Sequence, residues 1–458
     1  MPKADLAWTP DLTQATGPLY LALADAIASD LASGALPPGA RLPPQRRLAQ
    51  ALGVDFTTIS RAYAEAARRG LVEGRVGQGT FARGGAEPPA AAPVDLTMNL
   101  PPHFSDPALT SRMWDEAARL RSGGLDLLLR YQDPAGALAD REAATTWLAP
   151  VLPGLYPDRL LVVPGAQSAL FALTSLLLRP GEAVAVERLT FPGYRAAAAQ
   201  AGVRLIDLAM DAEGLTPEAF EAACRAEAPR LLYCTPTLQN PTTATMSLAR
   251  RQAIVEIGRR HGVTILEDDA YGRLLAEPLP PLAALAPDIT WHVASLAKCL
   301  SPGLRIAYLA APSARAAALA RGALRATVSM ASPLSAAIAS RWINGGCAQA
   351  VLEAIRSETH ARRALAGELD AHAAPAPDGF HLWLTLPPGW SRGEFAARMT
   401  GSGIGVVGSD AFHVGVPPPP EAVRIGLGGP ISRPRLAAAL QRIGDLLAAA
   451  PALSSSVV

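Results

Sequence analysis

The stretch SLAKCLSPGLR, residues 295–305, places one lysine among apolar neighbours. An apolar setting disfavours the charged ammonium, so we expect a lowered pKa for Lys298, which would make its amine a competent imine former. Ser295 and Arg305 flank this lysine, and arginine binds phosphate through two parallel hydrogen bonds. Most other basic residues of the chain are arginines, so a lysine here indicates chemistry rather than surface charge.

An acidic segment, residues 267–271, follows a predicted apolar strand. Parallel α/β sheets bind ligands at the carboxyl ends of their strands, where the carboxylate of Asp268 can pair with a protonated pyridine nitrogen. Tyr271 can donate to a ring hydroxyl of the same ligand. Acidic clusters after strands are also frequent metal sites, but without a neighbouring histidine or second carboxylate group in the sequence a metal is disfavoured.

Three further segments suit a phosphorylated pyridine ligand. VPGAQSA, residues 163–169, predicts a strand end, a tight turn and a helix start, whose unpaired N–H groups and positive dipole end favour a phosphate. Phe191, on a Pro-Gly loop, can stack on a flat ring, and the amide of Asn240 can donate to a phenolate oxygen. Each feature is also common without a ligand, since such turns are widespread and an isolated Phe more often belongs to a core.

The chain divides at GGAEPPAAAP, residues 84–93, where Pro, Gly and Ala replace periodic sequence. This composition predicts a linker over residues 84–94 between domains at residues 1–83 and 95–458. The first region shows helical periodicity. In the second, predicted strands and helices alternate, which favours an α/β fold with a mostly parallel sheet.

The amino-terminal region predicts a helix-turn-helix. Apolar residues recur at a four-residue step across residues 18–35. A short helix is predicted over residues 45–52, and Asp55 is a good N-cap for a third helix over residues 56–69. The two helices flank a tight turn around Gly53, which completes the motif.

A β-hairpin wing is predicted after the third helix, with a Gly-rich tip at residues 74–79. Residues 41–83 carry eight arginines and three acidic residues, a local charge of +5 in a chain whose formal net charge is +1. Such a local excess is typical of phosphate contacts. A three-helix unit with a basic face could instead be a docking domain, but the complete motif with its wing favours DNA binding.

The segment LPPQRRLAQALGVDFTTISRAYAEAARRGLVEGRVGQGTFA, residues 42–82, resembles the winged helix-turn-helix of the GntR family of bacterial regulators along its whole length. It departs at Pro43-Pro44, where the family more often has a capping Ser. The resemblance implies binding to a double-stranded DNA operator. It places these residues against the DNA: Arg46, Thr57, Thr58, Ser60, Arg61 and Gly79.

The series Asn240, Asp268, Lys298 and Arg305 resembles the fold-type I aminotransferases, which use pyridoxal 5′-phosphate (PLP), and the resemblance covers about residue 95 to the end. It implies an α/β domain with a mostly parallel sheet and a smaller α+β subdomain. It also implies that Lys298 is the catalytic residue that forms the imine with PLP. The sequence departs from the usual NPTG motif at Thr243.

The same resemblance assigns the other site residues. Arg424 matches the arginine that clamps the α-carboxylate of a substrate or effector, and Tyr131 matches the tyrosine that reaches the phosphate of the neighbouring subunit. The remaining implied PLP contacts are Phe191 on the ring face, Asp268 at the ring nitrogen, Asn240 and Tyr271 at the ring hydroxyl, and Ala166, Gln167, Ser295 and Arg305 at the phosphate.

A winged helix, a Pro-rich linker and an aminotransferase-like domain in this order resemble the MocR subfamily of GntR regulators. The resemblance implies a head-to-tail homodimer and an effector that is an amino acid, an amine or the cofactor itself. We therefore favour a PLP-dependent transcription regulator that senses its effector by imine exchange at Lys298.

Two other hypotheses stay open. The chain could be an active aminotransferase with an ancillary DNA-binding domain, since no residue required for a half-reaction is missing. It could also be a dimerisation scaffold without cofactor, which Lys298 disfavours. Turnover of an amino donor with a keto acid separates the aminotransferase from the regulator.

Composition excludes several other classes. The near-zero net charge gives no global attraction to nucleic acid or membrane, so an anionic partner must meet a local patch. The amino terminus lacks the pattern of a signal peptide and no apolar run approaches a membrane span, which predicts a cytoplasmic protein. The four cysteines form no CxxC pair and the seven histidines no HxxxH, so we expect buried thiols and neither a disulfide framework nor a metal site.

Overall fold

In the computed structural model the chain forms two compact units, residues 1–93 and 94–458, termed the amino-terminal and carboxy-terminal units. The structure describes residues 8–10, 18–33, 35–37, 39–75, 79–82, 93–123 and 125–449. Most of the predicted linker, residues 84–92, lies outside the described residues, and its last residue, Val94, begins a strand.

The amino-terminal unit contains a winged helix-turn-helix. Its elements are α1 (Leu19–Ser33), α2 (Gln45–Leu52), α3 (Phe56–Arg68), β1 (Val72–Arg75) and β2 (Gly79–Ala82). Asp55 caps α3, because its carboxylate accepts from the main-chain N–H of Thr57 at 2.7 Å. Strands β1 and β2 pair antiparallel, and Ile27, Leu48 and Ile59 are fully buried in the shared core. The predicted motif and the pairing of the wing strands are confirmed, and residues 76–78 of the predicted wing tip lie outside the described residues.

The carboxy-terminal unit is an α/β structure. Its strands are β3 (Val94–Asp95), β4 (Leu160–Val163), β5 (Ala183–Glu187), β6 (Arg204–Leu208), β7 (Met210–Asp211), β8 (Gly214–Leu215), β9 (Leu231–Cys234), β10 (Thr264–Asp269), β11 (Thr290–Ser295), β12 (Ala307–Ala310), β13 (His381–Thr385), β14 (Ile404–Gly405), β15 (Val407–Gly408) and β16 (Ala422–Gly426). Its helices are α4 (Pro107–Ala118), α5 (Leu125–Leu128), α6 (Leu138–Leu148), α7 (Ala166–Leu177), α8 (Pro192–Ala201), α9 (Pro217–Glu227), α10 (Leu248–His261), α11 (Leu282–Leu285), α12 (Ala314–Thr327), α13 (Pro333–Asn344), α14 (Cys347–Arg363), α15 (Arg392–Gly401) and α16 (Arg433–Ala448).

A seven-stranded sheet in the order β4-β12-β11-β10-β9-β5-β6 forms the centre of this unit. Only β12 runs antiparallel to its neighbours within it, so the sheet is mostly parallel, as predicted. Both faces are buried: Val184 and Val186 of β5 belong to one apolar cluster, and Ala183 and Ala185 to another. Continuous burial on two faces explains why these strands are apolar runs rather than alternating ones.

A smaller α+β subdomain follows the large sheet. Strands β13, β16 and β15 form an antiparallel sheet, and β14 pairs parallel with β3. Helices α15 and α16 cover an apolar core that includes Leu382, Phe395, Ile425 and Leu440. Strand β16 also contributes Arg424, which brings this subdomain to the functional site.

Candidate functional site

A cavity of about 350 Å³ opens at the carboxyl ends of β10 and β11, beside the amino terminus of α7. All the predicted cofactor and effector residues except Tyr131 line it. They are Ala166, Gln167, Phe191, Asn240, Asp268, Tyr271, Ser295, Lys298, Arg305 and Arg424. Strand ends and loops from both the large sheet and the smaller subdomain therefore converge on one site.

Lys298 follows β11, and its Nζ donates to the main-chain carbonyl of Asn99. Burial is the main cause that lowers the pKa of Lys298 to about 8. The positive charge of Arg424 lowers this pKa further, whereas the negative charge of Asp268 opposes the lowering. The predicted lowering of this pKa is confirmed. Near neutral pH the amine is therefore unprotonated far more often than that of an exposed lysine.

Asp268 is buried at the end of β10. Its Oδ2 accepts from the hydroxyl of Tyr233 at 2.9 Å, whereas its Oδ1 has no hydrogen-bond partner in the described part of the chain. Burial raises the pKa of Asp268 to about 6, against the opposing effects of Tyr233 and the cations nearby. An unpartnered, buried carboxylate oxygen in a cavity fits a ligand N–H that carries positive charge.

The part of the cavity wall formed by α7 and Arg305 suits an anion. Helix α7 begins after Gly165 without a side-chain cap, which leaves its first N–H groups as donors. The guanidinium of Arg305 lies against Gly165 so closely that a Cβ there would come within 3.0 Å of its Nη2. Glycine is required at this position, since its φ of +84° also lies in the left-handed region. A helix amino terminus and an arginine therefore face one small volume.

Arg424 is buried between the loop after β9 and the segment after β3. Its Nη1 donates to Oδ1 of Asn240 at 2.7 Å, and its Nη2 donates to the carbonyl of Thr97. Its Nε is buried without a partner among the described residues. Burial lowers the pKa of Arg424, but a guanidinium stays charged, so the site keeps a fixed cation for a carboxylate.

In the amino-terminal unit, Arg46, Thr57, Arg61 and Gly79 are exposed, whereas Thr58 and Ser60 are half-buried. The Thr57 hydroxyl donates to Asp55 at 2.5 Å, and the Arg61 guanidinium lies 4.2 Å from the ring centre of Tyr20. Thr57 is thus held at the start of α3 and Arg61 against α1, whereas α2 begins without a side-chain cap.

The local charge of +5 overstates the free positive charge. Arg68 and Arg69 both pair with Glu65 at 2.7 Å, and Arg69 also pairs with Asp25. These two arginines are therefore partly neutralised. The segment before α2, together with α2 and α3, also carries the exposed arginines Arg41, Arg46, Arg47 and Arg61.

Two family models match the chain. The gntR family of bacterial regulatory proteins matches residues 19–82, and aminotransferase class I and II matches residues 92–443. The HTH-type transcriptional regulator YdeF of Bacillus subtilis (strain 168) is 29% identical over 96% of this chain and 97% of its own length. The HTH-type transcriptional regulator TauR of Rhodobacter capsulatus is 29% identical over 68% of this chain and 71% of its own.

The chain belongs to the MocR subfamily of the GntR family. It is a transcriptional regulator with an aminotransferase class I and II domain. The fold agrees with that of LysN, an α-aminoadipate aminotransferase from Thermus thermophilus solved with N-(5′-phosphopyridoxyl)-L-leucine. The two structures superpose with a TM-score of 0.70 and 24% sequence identity, and the match covers 79% of this chain and 93% of LysN. The predicted MocR resemblance and fold class are confirmed.

Three residues in or behind the cavity wall of the MocR regulator escaped the sequence analysis, and of these only Asn99 lines the cavity itself. Asn99 is buried, and its Nδ2 donates to Tyr271 at 2.9 Å. Tyr233 holds Asp268, and its ring stacks on that of Tyr194 at 3.6 Å between centres. The polar Asn99 in the apolar run LTMNL was a usable signal, whereas Tyr233 in LLYC looks like any core residue.

His292 is the third missed residue. It comes from β11 and lies 3.1 Å from Glu267 and 3.5 Å from Asp269, so the acidic segment does have a histidine neighbour across the sheet. Even so, the described residues contain no group of three or more His, Cys, Asp or Glu arranged to hold a metal.

Tyr131 is 89% exposed and does not line the cavity of its own chain. Its role across a subunit interface stays a prediction. The four cysteines are buried and free, as predicted. Among the described helices of the MocR regulator, none has the length and apolarity needed to cross a membrane.

Proposed function

We propose that this MocR regulator binds PLP covalently at Lys298 and that an amine or amino acid, by displacing Lys298 from the cofactor, changes the affinity of the amino-terminal unit for operator DNA. The observation that carries the proposal is that Lys298, with a pKa lowered to about 8, lines one cavity together with Asp268, whose Oδ1 is unpartnered, and with Arg305 and the amino terminus of α7.

The chemistry of the lining residues fits PLP from end to end. Lys298 would hold the aldehyde carbon, Asp268 the ring nitrogen, and Tyr271 and Asn240 the ring oxygen. The amides of Ala166 and Gln167, with Ser295 and Arg305, would hold the phosphate, and Phe191 would cover one ring face. When bound, PLP supplies an aldehyde carbon that reacts with primary amines and a ring that withdraws electrons.

Arg424 would select effectors that carry a carboxylate. Its contacts with Asn240 and Thr97 fix the guanidinium, and its unpartnered Nε remains as a donor for a further acceptor. An amino acid thus meets two anchors, a reactive site at its amine and a cation at its carboxylate. A plain amine meets only the first.

For DNA, we propose that α3 enters the major groove and that the contacts come from Arg46, Thr57, Thr58, Ser60, Arg61 and Gly79.

The proposal also includes a head-to-tail homodimer, in which Tyr131 reaches the phosphate site of the other subunit. The 89% exposure of Tyr131 supports a role outside its own chain. The domain limits stay as proposed, at residues 1–83 and 95–458.

A decisive test of the covalent bond uses the composition of the chain, which contains only two lysines, Lys3 and Lys298. Borohydride reduction of the protein loaded with PLP should leave the adduct on Lys298 alone, and peptide mass spectrometry measures this. Lys298→Ala should remain colourless. An adduct confined to Lys3 or to the amino terminus contradicts the proposal.

A second experiment tests the switch. Operator binding by wild type and Lys298→Ala is titrated with and without candidate amines. Wild type should shift and the variant should not, because only a ligand with different affinity for two states can move an equilibrium. Equal shifts in both proteins would show that displacement of Lys298 is not the switch.

An active aminotransferase is the second candidate, because the residues that line the cavity include an amine, a ring-nitrogen partner and a carboxylate anchor. Multiple turnover of an amino donor with a keto acid would favour it. A single half-reaction without turnover would favour the regulator.

A further inference from the structure

Asn99 contacts two residues of the cavity, Lys298 and Tyr271, and has no assigned role. It is close to the start of the carboxy-terminal unit, is 6% exposed, and lines the cavity. Its main-chain carbonyl accepts from Lys298, and its Nδ2 donates to the hydroxyl of Tyr271 at 2.9 Å. We propose that Asn99 is a positioning residue that commits Tyr271 to act as a hydrogen-bond donor toward the bound cofactor ring, an inference that rests on the proposed PLP site.

The backbone around Asn99 is held rigidly by strand β16 and the residues after it. The N–H of Gly426 donates to the carbonyl of Leu96 at 2.8 Å, and that of Gly429 donates to Pro101 at 3.0 Å. A Cβ at residue 428 would overlap the carbonyl oxygen of Leu100, so only glycine permits this approach. These contacts therefore fix the backbone of Asn99 in the cavity wall.

The Asn99 amide is oriented with its Nδ2 toward Tyr271 and His381, and its buried Oδ1 has no hydrogen-bond partner among the described residues. Its Nδ2 carries two hydrogens and faces two atoms, Oη of Tyr271 at 2.9 Å and Nδ1 of His381 at 3.0 Å. Burial, with the charge of Arg424, lowers the pKa of His381 to about 3, so the imidazole is neutral and has one acceptor nitrogen. With Nδ1 as that acceptor, both amide hydrogens of Asn99 are used.

The consequence falls on Tyr271. Because its oxygen accepts from Asn99, its own hydrogen is free to donate to another acceptor, and the cavity is where the cofactor ring oxygen would lie. Burial raises the pKa of Tyr271 to about 12, so the phenol keeps that hydrogen. A hydroxyl that accepts one bond also becomes a stronger donor in the next.

The reverse orientation defines the effect to be tested. If the side chain at residue 99 offered only acceptor oxygens, Tyr271 would donate to it and lose its hydrogen for the cofactor. Asn99→Asp creates this situation with almost no change in shape, and Asn99→Leu removes the bond without adding charge. Among the described residues, Arg424 and Asp268 act on the pKa of Tyr271 through their charges, and the ring of His381 lies 5.9 Å from the Tyr271 ring. Neither variant replaces any of these groups.

The experiment measures the pKa of the bound PLP chromophore by visible absorbance across the neutral and alkaline range. A weaker hydrogen bond from Tyr271 leaves more negative charge on the ring oxygen of PLP. This charge holds the proton on the Lys298 nitrogen that is bonded to PLP more tightly. Both variants should therefore raise this pKa, Asn99→Leu by about half a unit to one unit. Ser340→Ala, which removes a buried hydroxyl bonded to Asp140 outside the cavity, should leave it unchanged.

A double-mutant cycle shows whether Asn99 acts through Tyr271. In the Tyr271→Phe background, Asn99→Leu should cause no further shift. An equal shift in that background, or an unchanged chromophore pKa in both Asn99 variants with PLP bound, overturns the inference while leaving the PLP site intact. Absence of any chromophore in wild type overturns the proposed function itself, and this inference with it.

Discussion

Arg424 donates through Nη1 to the side-chain oxygen of Asn240 at 2.7 Å, a contact between residues 184 positions apart. It joins β16 of the smaller subdomain to the loop after β9 of the large sheet. Because the Asn240 oxygen is used in this way, its Nδ2 remains as a donor for the proposed cofactor ring. The side chains proposed as the effector anchor and as one cofactor contact are therefore joined directly by a hydrogen bond.

Substitution of Arg424 should separate effectors by their carboxylate. Arg424→Met removes charged hydrogen bonds worth about 1.5–3 kcal/mol, so affinity for an amino acid should fall roughly tenfold or more. The decarboxylated amine of the same side chain should bind nearly as before. Calorimetric titration of both ligands measures the difference, and Arg433→Ala, at an exposed arginine paired with Glu358, is the matched control. Equal losses for both ligands would contradict a carboxylate role.

The rate of PLP attachment should depend on pH through Lys298. Its pKa of about 8 means that, below this pH, the neutral amine falls about tenfold for each pH unit. The attachment rate should rise with pH and level off above about 8, rather than near the ordinary lysine value. Stopped-flow absorbance of the PLP-free protein mixed with PLP measures the profile. A rate that continues to rise well above pH 8 would contradict the lowered pKa.

DNA binding should depend on Arg46 more than on an ion-paired arginine of the same unit. Arg46→Ala should weaken binding to all sequences and reduce the slope of log K against log[salt] by about one, as expected for one lost phosphate contact. Arg68→Ala removes the same charge, but Arg68 already pairs with Glu65. The slope of log K against log[salt] should therefore change much less for Arg68→Ala. Fluorescence anisotropy at several salt concentrations measures both slopes. Identical slopes for the two variants would argue against a phosphate contact at Arg46.

Thr243 carries local strain that glycine would relieve. Its φ is +63°, a left-handed conformation that costs a β-branched residue roughly 1–2 kcal/mol, and its buried hydroxyl has no partner among the described residues. Thr243→Gly should raise the free energy of unfolding by about 1 kcal/mol after the entropy gained by the unfolded chain. Denaturant unfolding measures this.

The neighbouring Thr242 is the control for that change. Its hydroxyl donates to Gln239 at 2.7 Å, so Thr242→Gly removes a real bond and should destabilise the protein. If Thr243→Gly does not raise the free energy of unfolding, the Thr243 conformation carries no strain that glycine relieves.

The sequence was sufficient to predict a structural feature wherever the residues that cause this feature lie in one short segment. Asp55 caps α3 because a carboxylate two residues before Thr57 reaches its N–H. Asp268 was predictable as a cavity residue because it lies at the end of a strand of a parallel sheet, and Lys298 because it is the one lysine in an apolar segment. The same locality made both domain families recognisable from contiguous patterns.

Tertiary structure alone decided which side chains share hydrogen bonds. Asn99 meets Tyr271 across 172 positions, and His292 reaches Glu267 from a neighbouring strand. It also decided that Arg69 pairs with Asp25 of α1, which reduces the free charge counted from the sequence. Composition and spacing fix which groups a chain possesses, but the partner of a buried donor depends on packing between distant segments, because every such group must find an acceptor wherever the fold places one.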